Sequence, residues 1–196
     1  MKVLLRSCLA TLTVVALWCP VAAQDGTPKT PQLPAVFEKR AFHDGKTVKG
    51  KTLGGHMMPG GVDSGMMKIT TEGEYPGCDM AKSSELKVGD WCFVCSHPGG
   101  FKQGRTPPVR LGRITQTGER TIVTDCILVG GDSGGPVFDM HGRVIAINSR
   151  IGQQVTNNMH VPVDQFRASW DRLAKGDVWG AGAPKAGPWL GVGTET

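Results

Sequence analysis

Residues 130–139 read GGDSGGPVFD. Glycines at 130, 131, 134 and 135 let the backbone turn sharply around one serine, Ser133. The amides of Gly131 and Ser133 flank a single residue and can converge on one oxygen, which makes a backbone oxyanion hole. A serine hydroxyl is a poor nucleophile at neutral pH, so it needs a base and such donors together. Glycine-rich hairpin loops are common, and Ser-Gly-Gly alone means little. The full string running into the apolar strand PVFD is far more specific, and it reads as a loop presenting a serine nucleophile.

On both sides of this loop lie short apolar runs separated by turn residues. TVKGKTLGG, GMMKIT, VRLGRITQ, TIVTDCILVGG and NNMHVPV read as strands. FDMHGRVIAI is the clearest hairpin, with His141-Gly142 at its tip. One helix is predicted over 163–173, where Phe166, Trp170 and Leu173 repeat at helical spacing and Asp164 can cap the start. Strands about every 8 to 12 residues with one late helix indicate an all-β barrel architecture.

The chain has 196 residues, 28 of them Gly and 13 Pro, with 6% aromatic and 20% charged residues. This suits a loop-rich β protein and argues against global disorder. Lys2 and Arg6 precede the short apolar run CLATLTVVALW, and VAA follows at 21–23. That pattern predicts an export leader cut before Gln24, too short to span a bilayer. Its removal lowers the formal charge from +5 to +3. No Lys/Arg cluster or aromatic platform accompanies that mild basicity, so a nucleic-acid partner is not expected. Nor is stable membrane insertion once the leader is gone. Cys78, Cys92, Cys95 and Cys126 remain beyond the leader. The CxxC spacing of Cys92 and Cys95 raises zinc or redox chemistry, but no second ligand pair accompanies it. Strand periodicity puts those two residues on opposite faces. Packed or bridged structural cysteines are the expectation, with the pairing open and no metal or cofactor.

Taken together, these motifs resemble the trypsin-like serine peptidases, and within them the exported HtrA/Deg branch. The resemblance runs from about residue 41 to 192. It rests on DGKTVKGKTLGG with VDSGMMKI, on SSELKVGDWCFVCSHPGG, on TDCILVGGDSGGPVFDMHGRVIAINSRI, on MHVPVDQF and on PWLGV. It implies a chymotrypsin-like double β-barrel with an incomplete first barrel and one late helix. The implied organisation is a leader at 1–23, a linker at 24–35, a remnant of the first barrel at 36–85, and the second barrel with serine loop and closing helix at 86–175. A Gly/Pro linker with the first strand of a PDZ-like domain would follow at 176–196. The resemblance gives Ser133 the nucleophile position, Gly131 and Ser133 the oxyanion hole, and Asp63 the acid that orients a catalytic histidine. Leu128 falls at the primary specificity pocket and Asn148, Ser149 and Arg150 on the strand that pairs with substrate. The implied partner is an extended or unfolded polypeptide in the periplasm or outside the cell, with homo-oligomers possible.

The expected base is missing. The family carries its histidine roughly 30 residues ahead of the acid, which here falls in TPQLPAVF. Of the five histidines, His43 reads as a turn residue, His56 lies in a glycine-rich loop, and His97 sits in a loop the family does not use for chemistry. His141 is a hairpin tip and His160 a structural histidine on a closing strand. An intact leader ahead of a shortened first half reads as an internal deletion or a mis-assembled coding sequence. Two functions follow: a serine endopeptidase, or a relative that no longer cleaves and acts as a peptide-binding or regulatory module.

Overall fold

The structure is a computed structural model that describes residues 11–14, 36–40, 47–57, 62–102 and 104–180. The stretch PWLGV and His43 lie outside the described residues.

The serine loop belongs to a closed barrel of six antiparallel strands: β5 (Trp91–Cys95), β6 (Val109–Gln116), β7 (Ile122–Thr124), β8 (Pro136–Asp139), β9 (Val144–Ile151) and β10 (Asn158–Pro162). Their order around the barrel is β10-β7-β6-β5-β8-β9. Period-two alternation decides which residues point in. On β5, Cys92 and Val94 are buried while Trp91 is exposed and Cys95 half-buried. On β6, Gly112 and Ile114 are buried and Leu111 and Arg113 exposed. Cys92, Val94, Ile114, Ile122, Cys126, Leu128, Val137 and Ile145 form the barrel core. The predicted hairpin joins β8 to β9, with Gly142 at φ 74°. Asp139 holds the turn by accepting from the amides of His141 and Arg143, each at 2.9 Å.

The N-terminal half is an open sheet in place of a second closed barrel. It holds β1 (Thr11–Val14), β2 (Val36–Arg40), β3 (Thr47–Met57) and β4 (Asp63–Ile69), with the short β11 (Val178–Trp179) added at the end. Strand β3 pairs antiparallel with β4 on one side. On the other it pairs with β2 and, further along, with β11 in parallel. Strand β1 adds to the far side of β4, with Thr11 opposite Lys68.

Helix α1 (Val163–Lys175) follows β10 directly and packs between the halves. Its buried stripe is Val163, Phe166 and Leu173. Phe166 and Leu173 meet Val62 and Met66 from the sheet side and Ile147 and Val161 from the barrel. The start differs from the sequence expectation. Pro162 is the N-cap and gives no side-chain cap. Asp164 instead accepts from the Ser84 amide at 2.9 Å and pairs with Arg167 at 3.1 Å, tying the helix to the segment before β5. Gly176 ends the helix in the left-handed conformation, φ 90°.

Candidate active site

The chain from Asp125 to Gly135 leaves β7, turns around Ser133 and enters β8. Gly131 holds φ 93°, a value that suits glycine. A Cβ there would overlap the Gly100 amide nitrogen and lie 2.8 Å from that of Gly99. The loop is therefore packed against residues 97–100, and the Gly99 amide donates to the Gly130 carbonyl at 2.7 Å. Downstream, the Gly134 amide donates to the Asn148 carbonyl at 2.9 Å and the Asn148 amide to the Gly135 carbonyl at 2.8 Å. Ser133 thus sits between two anchored flanks, half-buried. Its side chain makes no hydrogen bond to any described residue.

Asp132, one residue before the serine, is 1% exposed. Its carboxylate accepts from Arg110 Nη1 at 2.5 Å and Nη2 at 2.7 Å, from Ser96 Oγ at 2.8 Å and from the Val129 amide at 2.8 Å. Arg110 also donates to the Ile127 carbonyl at 2.9 Å. Burial alone would raise this acid. The Arg110, Val129 and Ser96 hydrogen bonds outweigh it and hold the carboxyl below its ordinary range. Sequence reading missed Arg110 and Ser96. The available signal was an acid inside a buried glycine loop, which requires a cation.

Asp63 opens β4 opposite Met57 of β3. Burial pushes its carboxyl up to about 6, and the nearby Arg150 opposes that rise. Arg150 comes from β9, so the acid and the C-terminal part of that strand share one electrostatic neighbourhood. His56 pairs in register with Ser64, the next residue, so its side chain leaves the opposite face of the sheet from Asp63. It stacks on Trp179 with ring centroids 4.6 Å apart. Burial, then Arg172 and Arg120, keep it easily deprotonated.

The other described histidines divide clearly. His160 is buried, with Nδ1 3.0 Å from Asn148 Oδ1 and Nε2 2.8 Å from Thr124 Oγ1. Burial lowers it to about 3, so it stays neutral, and both ring nitrogens are committed. His141 is in the exposed hairpin turn. His97 stands beside the serine loop: its carbonyl would lie 2.9 Å from a Cβ on Gly131, and its ring packs edge-on against Phe101.

Leu128 is 5% exposed and packs in the barrel core. Asn148 is wholly buried, and its Nδ2 donates to the Asp132 carbonyl at 3.1 Å, so its side chain braces the serine loop. Ser149 is buried as well. The ladder of β9 with β8 stops at Ile147, opposite Pro136. Ser149, Arg150 and Ile151 therefore continue past β8 on that edge. Among the described residues no cluster of His, Cys, Asp or Glu has the makings of a metal site. No helix among them is long and apolar enough to cross a membrane.

Comparison with known proteins agrees with this geometry. The trypsin-like peptidase domain family matches residues 13–147, which begins well ahead of the resemblance read from the motifs. The putative serine protease HhoA of Synechocystis sp. is 31% identical over 165 residues, covering 77% of this chain and 39% of that protein. A probable periplasmic DegP-like serine endoprotease of Hahella chejuensis is 32% identical over 142 residues, covering 66% of this chain and 28% of its own length. The chain thus spans about two fifths or less of these curated relatives. Among solved structures, the HtrA-type protease AlgW with a tripeptide aligns with TM-score 0.57 at 23% identity, over 67% of this chain and 46% of that one. Deg5 aligns with TM-score 0.54 at 25% identity, over 68% of this chain and 65% of its own. With a serine loop held on a closed six-strand barrel and a family match over most of its length, the chain belongs to the trypsin-like serine peptidases, of HtrA/Deg type.

Proposed function

We propose that this chain is an exported serine-type endopeptidase domain acting on extended polypeptide, with Ser133 as nucleophile, the Gly131 and Ser133 amides as oxyanion hole and Asp63 as orienting acid. The observation that carries the reading is the serine loop: a positive-φ Gly131 wedged against residues 97–100, and an Asp132 carboxylate with four donors beside the serine. A loop pinned in this way presents preorganised amides to a developing oxyanion. Substrate would add as a strand along Ser149–Ile151, where β9 outruns β8, through main-chain hydrogen bonds. The AlgW structures that share this fold hold a tripeptide or a decapeptide, which supports the same chemistry of partner. Export agrees with the leader-like 1–23 and with the periplasmic names of relatives. Cleavage after Ala23 would take β1 away and leave β4, with Asp63 at its head, as an open edge.

A specific observation favours a second reading, a peptide-binding relative that does not cleave. Asp63 faces the charge of Arg150, and the described His56 and His160 are committed elsewhere. Without a base, the remaining oxyanion hole sustains only a residual rate.

A fluorophosphonate probe decides between the two, applied to the exported chain with Gln24 at its N-terminus. Adduct at Ser133 that disappears in His97→Ala or His43→Ala establishes a peptidase with a replacement base. A folded chain that binds unfolded polypeptide and takes no label establishes the binding module.

A further inference from the structure

Cys92 and Cys126 are both wholly buried in the barrel core, with their sulfurs 3.7 Å apart. They come from distant places in the chain. Cys92 faces inward on β5, and Cys126 lies just past β7, seven residues ahead of Ser133. Gly112 explains how they meet. It pairs with Cys92 across β5 and β6. A Cβ on it would fall 2.7 Å from both the nitrogen and the sulfur of Cys126. The missing side chain lets the backbone at Cys126 lie directly on β6 and carries its sulfur across to β5. Its main chain is fixed there: the amide donates to Thr124 Oγ1 at 3.3 Å, and its carbonyl accepts from Asn158 Nδ2 at 2.8 Å. The other two described cysteines are elsewhere. Cys78 is exposed, and Cys95 points out of the barrel.

We propose that Cys92 and Cys126 form a disulfide that ties β5 to the chain entering the serine loop. The sulfurs need to close to about 2.05 Å, a change on the scale of side-chain torsions. The bond forms by exchange with a small-molecule or protein disulfide. A thiolate of one cysteine attacks a sulfur of that donor and expels one thiol, and the second cysteine then displaces the donor's other half. Two protons and two electrons leave the cysteines, and the donor departs as two thiols. Their contact pushes the Cys92 thiol up and the Cys126 thiol down, but both are wholly buried, so neither sulfur meets an outside disulfide once the barrel is folded. Exchange therefore belongs to folding, before the barrel closes. In the cell this rests on the exported reading above, because export reaches an oxidising compartment.

The test is run on the full chain in two arms. In one, the chain is refolded in an oxidised/reduced glutathione buffer. In the other, it is recovered from acid-quenched whole cells of an expressing bacterium. Each sample is alkylated in denaturant and mapped by mass spectrometry. The expected result is a cross-linked pair of peptides carrying Cys92 and Cys126, short of two hydrogens, with Cys78 and Cys95 alkylated. Added reductant should then lower the thermal midpoint by roughly 10 °C and leave that of Cys92→Ala unmoved. Alkylation of Cys92 and Cys126 in the folded, refolded sample overturns the proposal. Bridge formation on refolding, with reduced chain in the cell, upholds the disulfide and refutes export.

Discussion

Asp63 pays for its place at the head of β4. Burial raises its carboxyl to about 6 from an ordinary 3.8, and Arg150 offsets only part of that. A raised folded pKa means the fold prefers the protonated acid. The preference is fully present below the ordinary value and is lost as pH rises through 6. A shift of about two units corresponds to about 3 kcal/mol of stability forgone at neutral pH. Asp63→Asn is therefore expected to be more stable than the parent at pH 7.5, by up to about 3 kcal/mol, and no more stable at pH 3.5. Urea denaturation at the two pH values reads the difference. An equal gain at both would show that the charge at 63 is not the source.

Among the elements, the serine loop depends on β6 as well as on its own glycines. Arg110 of β6 satisfies a carboxylate that is 1% exposed. Removing the cation alone strands a buried charge, which costs about 3–5 kcal/mol. Arg110→Met should destabilise by that order, while Arg110→Met with Asp132→Asn should recover most of the loss. A coupling of at least about 2 kcal/mol in this double-mutant cycle is the expected reading. Additive costs would mean the pair does not act as a unit. This contact also shows where sequence reading stops. The strands around it were legible, because WCFVC is a short apolar run bounded by turn residues and the hairpin FDMHGRVIAI has its turn glycine. The serine loop was legible from glycine spacing. The Arg110 contact was not, because it spans 22 residues and depends on barrel closure. His56 reads as a loop residue from its glycine neighbours, and it lies instead on β3. It stands close to Asp63 in sequence, yet the strand pleat turns its ring to Trp179 on the other face.

At the scale of the whole molecule the two halves are unequal. The barrel has a core of its own, from Cys92 and Val94 round to Ile145. The sheet shares its core with α1 and with the outer side of β9 and β10, through Val62, Met66, Phe166 and Leu173. The close approach is set by Gly54 of β3, where a Cβ would lie 2.7 Å from Leu173 Cα and 2.8 Å from its carbonyl oxygen. The Gly55 amide then donates to the Asp177 carbonyl at 2.9 Å. The sheet is thus a layer clamped on by one helix, and its opening should precede loss of the barrel. Phe166→Ala is expected to cost about 3–5 kcal/mol and Gly54→Ala about 2–3 kcal/mol. Both costs should appear in native-state hydrogen exchange as faster exchange of β3 and β4 amides, with β5, β6 and β8 still protected. Equal loss of protection in both sets would refute the layered arrangement. If it holds, Asp63 and Ser133 sit on units of different stability, and the head of β4 can open while the serine loop stays formed.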